Sequence, residues 1–218
     1  LRFLLQFHNV LLYVMLAAAV VTAFLGHWVD TGVLLAAVLV NAAIGFVQEG
    51  KAESALDAIR AIRAAMPEAL VGAGTILNPE QYDQAVAAGA QFIISPGFTD
   101  KLLAHAAANA VPLIPGVSTP SEIMTALDMG YTHLKFFPAE ANGGAPALSA
   151  ISAPLPQIKF CPTGGISPKN VAAYLALKCV ATVGGSWMIP ADKVKAGAWD
   201  EITKLSAEAV ALIESLKK

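Results

Sequence analysis

The chain has 218 residues, 56% of them hydrophobic and 14% charged, with a formal net charge of −2. That length allows one large domain or two small ones. The composition excludes a disordered chain, and the near-neutral charge gives no ground for a nucleic-acid partner. Two cysteines, Cys161 and Cys179, cannot staple a disulfide scaffold, and no CxxC pair points to a metal.

The charge is unevenly spread. Arg2 and Asp30 are the only charged residues among the first 48, which contain two apolar runs, Val10–Leu25 and Thr31–Gln48. Each approaches the ~20 apolar residues that a membrane-crossing helix needs. The pattern predicts a transmembrane-like helical hairpin over residues 1–50, turning near Gly26–Gly32 with Trp28 and Asp30 at the turn. Arg2 before it and Lys51, Arg60 and Arg63 after it place both ends on the cytoplasmic side. A signal peptide would have one shorter apolar region, and paired soluble helices would show polar faces. The text from LLQFHNVLLYVML to GFVQEGKAESALDAIR resembles the first two transmembrane helices of a cation-transporting P-type ATPase. That resemblance implies membrane association of residues 3–48, but no DKTG string is present to carry pump chemistry.

Residues 51–218 read differently. An amphipathic helix is predicted at Ala52–Ala65, followed by short apolar runs ending in glycine or proline, each leading into a helical pattern. The predicted strands are Ala69–Gly72, Gln91–Ile94, Val111–Ile114, His133–Phe137, Gln157–Cys161 and Val180–Val183. Helices are predicted at Pro79–Ala88, Asp100–Ala108, Pro120–Met129, Ala145–Ile151, Pro168–Leu177 and Trp199–Leu216. Asn78, Thr119 and Ser167 each precede a proline and read as N-caps. Regular alternation of strand and helix indicates parallel strands joined by crossovers. The expected fold is α/β, of (β/α)8 TIM-barrel type, lacking its first two strands and preceded by the all-α hairpin. An open doubly wound sheet is the alternative.

Two glycine turns, Thr163-Gly164-Gly165 and Gly184-Gly185-Ser186, follow the last two strands. Glycines let backbone N–H groups approach an anion, and a short helix opening at Ser186–Trp187 would add its positive end. Together the turns suggest a phosphate cup. Lys135, within His133-Leu134-Lys135-Phe136-Phe137-Pro138, sits among large apolar residues. Desolvation there favours a neutral amine able to form a Schiff base with a carbonyl substrate. Thr75 offers a hydroxyl after the first strand; Ser95-Pro96-Gly97 and Pro115-Gly116-Val117-Ser118 follow the next two. Glu140 reads equally as an acid–base group or a capping carboxylate, and Cys161 as a packing residue.

The strings VGAGTILNPEQ, GAQFIISPGFT, PLIPGVSTPSE, KFFPAEANGG, FCPTGGISP and VGGSWMIP resemble 2-dehydro-3-deoxy-6-phosphogluconate (KDPG) aldolases, a resemblance that extends over about residues 57–218. The resemblance implies a class I, metal-independent lyase, usually a cytoplasmic homotrimer. Such an enzyme cleaves a phosphorylated 2-keto-3-deoxy sugar acid to pyruvate and glyceraldehyde 3-phosphate, and can extend to 4-hydroxy-2-oxoglutarate. By motif, Lys135 is the Schiff-base lysine; Thr163, Gly164, Gly165, Gly185 and Ser186 hold phosphate; Thr75, Pro96 and Phe137 line the substrate pocket. The family's E-V-T-L-R-T-like motif is absent. Its Glu is the general acid/base and its Arg holds the substrate carboxylate. Impaired activity is therefore expected, the alternative being an inactive, membrane-anchored barrel fragment. A join near Ala55–Arg60 and a chain beginning at Leu1 are the expected marks of a recombined or fragmentary sequence.

Overall fold

A computed structural model of the chain describes residues 10–25 and 27–216, with side chains for 14–25, 27–39 and 53–216. The chain forms two compact units, Leu1–Ala65 and Met66–Lys218.

The first unit is two packed helices, α1 (Val10–Phe24) and α2 (Trp28–Ala65). Across the turn the Thr22 and Thr31 hydroxyls lie 2.8 Å apart. The second apolar run and the helix expected at Ala52–Ala65 are one continuous helix. The expected membrane span is not found: among the described residues no helix is long and apolar enough to cross a membrane. The 15 residues of α1 reach about 22 Å at 1.5 Å per residue, short of the ~30 Å hydrocarbon core. In α2 the described apolar stretch ends at Leu39, and from Glu53 onward the helix carries Glu53, Asp57, Arg60 and Arg63. Residues 3–9 of that expectation, and the side chains of 40–48, lie outside the described residues.

The second unit alternates strand and helix: β1 (Gly72–Gly74), α3 (Pro79–Ala87), β2 (Phe92–Ile94), α4 (Asp100–Ala107), β3 (Leu113–Ile114), β4 (Gly116–Val117), α5 (Pro120–Asp128), β5 (His133–Phe136), α6 (Gly144–Ser152), β6 (Lys159–Pro162), α7 (Val171–Leu175), α8 (Ala191–Ala196) and α9 (Trp199–Leu216). All the pairings are parallel, in the orders β1-β2-β3 and β4-β5-β6. β3 and β4 are one run interrupted at Pro115, which lacks an N–H to donate, although its carbonyl accepts from Lys135 N at 2.9 Å. The close approach of neighbouring runs is set at Gly116: a Cβ there would lie 2.2 Å from the backbone of Pro96. Beyond β6 the predicted sixth strand is present only as parallel bridges, Phe160 to Val180 and Thr163 to Gly184.

Helices form where cap and apolar face agree. The Asn78 side chain accepts from Gln81 N, and Thr119 forms a reciprocal capping box with Glu122. Thr99 caps α4 through its side chain alone, accepting from Leu102 N. Ser167 does not cap: its N–H donates to Asn170 Oδ1 at 2.8 Å, and α7 starts only at Val171, after Asn170. The helix expected to open at Ser186 is likewise absent. Pro190 disfavours helical conformation at the residue before it, and α8 begins after it, at Ala191.

The core joins Leu134 and Phe136 of β5 and Phe160 of β6 to Ile123 of α5, Leu148 of α6 and Val171 and Tyr174 of α7, all 0–1% exposed. Burying each such aliphatic or Phe side chain contributes about 1.5–3 kcal/mol. Replacing Thr119 by Ala removes the capping box, so Thr119→Ala is expected to lower unfolding free energy by about 1 kcal/mol in urea denaturation.

Candidate active site

The site follows from strand geometry. Successive side chains on a strand point to opposite faces. In β5, Leu134 and Phe136 are buried in the helix-facing core, which directs the intervening Lys135 to the other face. Parallel register pairs Lys135 with Cys161 of β6, whose neighbour Phe160 is also a core residue. Lys135 and Cys161 thus share the face away from that core, and both line a cavity of about 430 Å³ with Ile94, Thr163, Gly164, Gly165, Ile166, Gly184, Gly185 and Ser186.

Lys135 is half-buried, and its Nζ lies 4.4 Å from the centre of the Phe137 ring. Burial pushes its amine below the ordinary 10.5, with the neighbouring Cys161 opposing to a smaller extent. The Phe137 face also attracts the ammonium form, at about 0.5–1 kcal/mol for a partly exposed pair. Burial likewise raises the Cys161 thiol, against smaller downward effects of Thr163 and Lys135. At neutral pH the thiol is therefore a neutral neighbour of the lysine.

The two glycine turns meet beside Lys135 because Thr163 bridges Gly184 in parallel. Gly164 and Gly165 adopt φ of +100° and +79°. A Cβ at Gly165 would also lie 2.6 Å from Glu140 Cγ. Among the described residues, the N–H groups of Gly164, Gly165, Gly185 and Ser186 donate to no backbone carbonyl. They are free donors on the cavity wall, an arrangement that accepts an oxyanion.

Of the residues singled out from sequence, Lys135, Thr163, Gly164, Gly165, Gly185 and Ser186 line the one cavity, and Phe137 flanks it through the Lys135 ammonium. Thr75, just past β1, and Pro96, just past β2, lie outside its lining. Glu140 accepts a hydrogen bond from the Tyr174 hydroxyl and is not in the lining. Sequence reasoning missed Ile94 and Ile166, read Gly184 only as part of the second glycine turn, and read Cys161 as packing. Alternation about Phe160 was the available signal for Cys161. Among the described residues no cluster of His, Cys, Asp and Glu could hold a metal ion.

A family profile, described as Aldolase: KDPG and KHG aldolase, matches residues 15–205. The chain belongs to this family. It is 59% identical over 160 residues to the KHG/KDPG aldolase of Escherichia coli K12, covering 73% of this chain and 75% of that relative. Among solved structures it is similar to the KDPG aldolase of Legionella pneumophila with pyruvate captured at low pH as a covalent carbinolamine intermediate: 52% identity, TM-score 0.68, 69% of this chain and 73% of that one. The 2-keto-3-deoxy-6-phosphogluconate aldolase of Zymomonas mobilis ZM4 with 3-phosphoglycerate gives 47% identity and TM-score 0.60, covering 62% of this chain and 65% of that one. This aldolase is accordingly a lyase with an aldolase-type α/β fold. The family match begins inside α1 rather than after the hairpin, and none of these relatives is a cation pump.

The depressed lysine sets a pH dependence with a definite sign. Its folded pKa lies below its unfolded value, so between the two the unfolded chain holds more protons and stability rises with pH. Below that window the cost of the desolvated ammonium is fully present. Lys135→Met removes it, so the stability difference in favour of the variant is largest at neutral pH. It is expected to shrink as pH approaches 10.5, measured by urea denaturation across the range.

Proposed function

We propose that this aldolase cleaves 2-dehydro-3-deoxy-6-phosphogluconate to pyruvate and glyceraldehyde 3-phosphate through an imine on Lys135, and that 4-hydroxy-2-oxoglutarate is a second substrate. The observation that carries the reading is a desolvated lysine on the wall of a cavity whose other wall offers four free backbone donors. The Lys135 amine adds to the C2 carbonyl and water leaves, giving a protonated imine. Loss of the C4 hydroxyl proton lets the C3–C4 bond break, its electron pair moving into the imine to form an enamine as the aldehyde departs. Protonation of the enamine at C3 and hydrolysis release pyruvate and restore the amine.

Gly164, Gly165, Gly185 and Ser186, with the Thr163 hydroxyl, bind the phosphate, and that remote anchorage orients the reacting bond. Phe137 packs against the amine; Thr75 and Pro96 extend the substrate pocket from the ends of β1 and β2. The proton acceptor for the C4 hydroxyl is the weak point, since no carboxylate is among the lining residues. With water in that role, turnover is lower by the ~10²–10⁴-fold that a positioned acid–base group supplies. The parallel runs are those of a (β/α)8 barrel without its first two strands, and the expected assembly is a homotrimer in the cytoplasm.

A second reading, an inactive barrel fragment held at a membrane by residues 3–48, draws on one observation: the hairpin exposes Val20, Val21, Phe24, Leu25, Trp28 and Val29. Flotation of the full chain with phosphatidylcholine vesicles, together with absence of lyase activity, favours that reading.

Incubation with pyruvate and borohydride, followed by peptide mass spectrometry, is expected to place the reduced adduct on Lys135. A folded protein labelled elsewhere or not at all contradicts the imine assignment.

A further inference from the structure

Outside the chemistry just described, a set of polar contacts converges on the turn Thr163–Gly165 from behind. Ala139 N donates to Thr163 O at 2.8 Å and Glu140 N to Gly164 O at 3.1 Å. The Glu140 Cβ and Cγ occupy the space beside Gly165, 2.7 and 2.6 Å from where a Cβ would stand. The Glu140 carboxylate in turn accepts from the hydroxyl of Tyr174, a side chain of α7 that is 0% exposed. On the other flank Asn170 Nδ2 donates to Gly165 O at 3.0 Å, while its Oδ1 accepts from Ser167 N at 2.8 Å. Glu140 lies only five residues after Lys135, on the segment that leaves β5 at Phe136, so one stretch of backbone sets both the amine and the rear of the anion turn.

We propose that Glu140 and Tyr174 are positioning residues that hold the Gly164–Gly165 turn at a fixed place relative to Lys135, so that the phosphate end of the substrate is seated where the imine carbon reaches the amine. This rests on the reading of that turn as the phosphate site. Neither residue touches substrate. Gly164 and Gly165 are in the left-handed region, where they have no side chains to fix them, so the geometry of their N–H groups depends on what packs behind. Burial, and then the Glu140 carboxylate, push the Tyr174 hydroxyl far above its ordinary value, which keeps it a donor throughout the accessible pH range. Among the described residues the Tyr174 hydroxyl is the donor that holds this carboxylate, and its loss frees the side chain to leave Gly165.

The test separates the two ends of the site. Inorganic phosphate titrated into the full-length protein, followed by the amide resonances of Gly164 and Gly165, gives a dissociation constant; pyruvate–borohydride labelling of Lys135 reports the other end. Tyr174→Phe and Glu140→Ala are expected to weaken phosphate binding by about three- to tenfold, the range of one lost hydrogen bond, with labelling of Lys135 unchanged. Glu140→Gln keeps both an acceptor oxygen and the methylenes beside Gly165, and is expected to restore the affinity that Glu140→Ala loses. A wild-type protein that binds phosphate, with Tyr174→Phe and Glu140→Ala binding equally well, overturns the brace while leaving the phosphate reading intact. Phosphate binding and Lys135 labelling lost together overturn it too, since that is the mark of general destabilisation. A wild-type protein whose Gly164 and Gly165 amides do not respond to phosphate overturns the phosphate reading, and the brace with it. Should Tyr174→Phe fail to fold, Glu140→Ala at an exposed position carries the same comparison.

Discussion

Everything in the site hangs on the alternation of β5. Leu134 and Phe136 are fully buried against α5, α6 and α7, and each contributes on the order of 1.5–3 kcal/mol that no rearrangement of the strand can keep if the register slips by one residue. That burial fixes which way Lys135 points. It also fixes Cys161, because parallel pairing locks β6 to β5 residue against residue. The lysine is held on the cavity face by the hydrophobic cost of turning its neighbours out, and its partial desolvation there lowers its affinity for a proton.

The second consequence is spatial coincidence at the strand ends. Parallel strands present their C-terminal ends on one edge, so the turns after β6 and at the Gly184 bridge fall beside Lys135, the penultimate residue of β5. In the proposed reading Lys135 is the nucleophile, and the turns, whose N–H groups donate to no backbone carbonyl among the described residues, hold the anion. Among the described residues no carboxylate joins them on the cavity wall. In the proposed mechanism these are the covalent and anion-holding halves of an aldol site, and the proton acceptor is water.

The repeating units were legible because each rested on several agreeing signals. Asn78 and Thr119 precede a proline and an apolar face, and both cap as read. Ser167 carries the same local signature, yet Asn170 three residues on captures its N–H, a competition that spacing alone does not rank. The helix expected at Ser186 was overruled by Pro190, whose effect on the preceding residue is local and readable. Lys135 and the glycine turns stood out by residue type. Cys161 did not, because a small apolar side chain at a strand end reads as packing unless its alternation with Phe160 is followed. The hairpin is the clearest divergence: uncharged length suggested a membrane span, whereas α1 stops at Phe24 and α2 continues into Asp57, Arg60 and Arg63. Hydropathy reports the lack of charge along a run, and helix ends are decided by turns and caps that it does not see.

The most direct test of the account is the pH profile of pyruvate trapping at Lys135, read as the rate of borohydride-stable adduct formation on that residue. A lysine desolvated by the packing of Leu134 and Phe136 becomes reactive as it deprotonates, so the rate is expected to climb and level off below pH 10.5. A rate still rising at pH 10.5, as for an ordinary surface amine, would contradict the claim that the fold prepares this lysine for covalent chemistry.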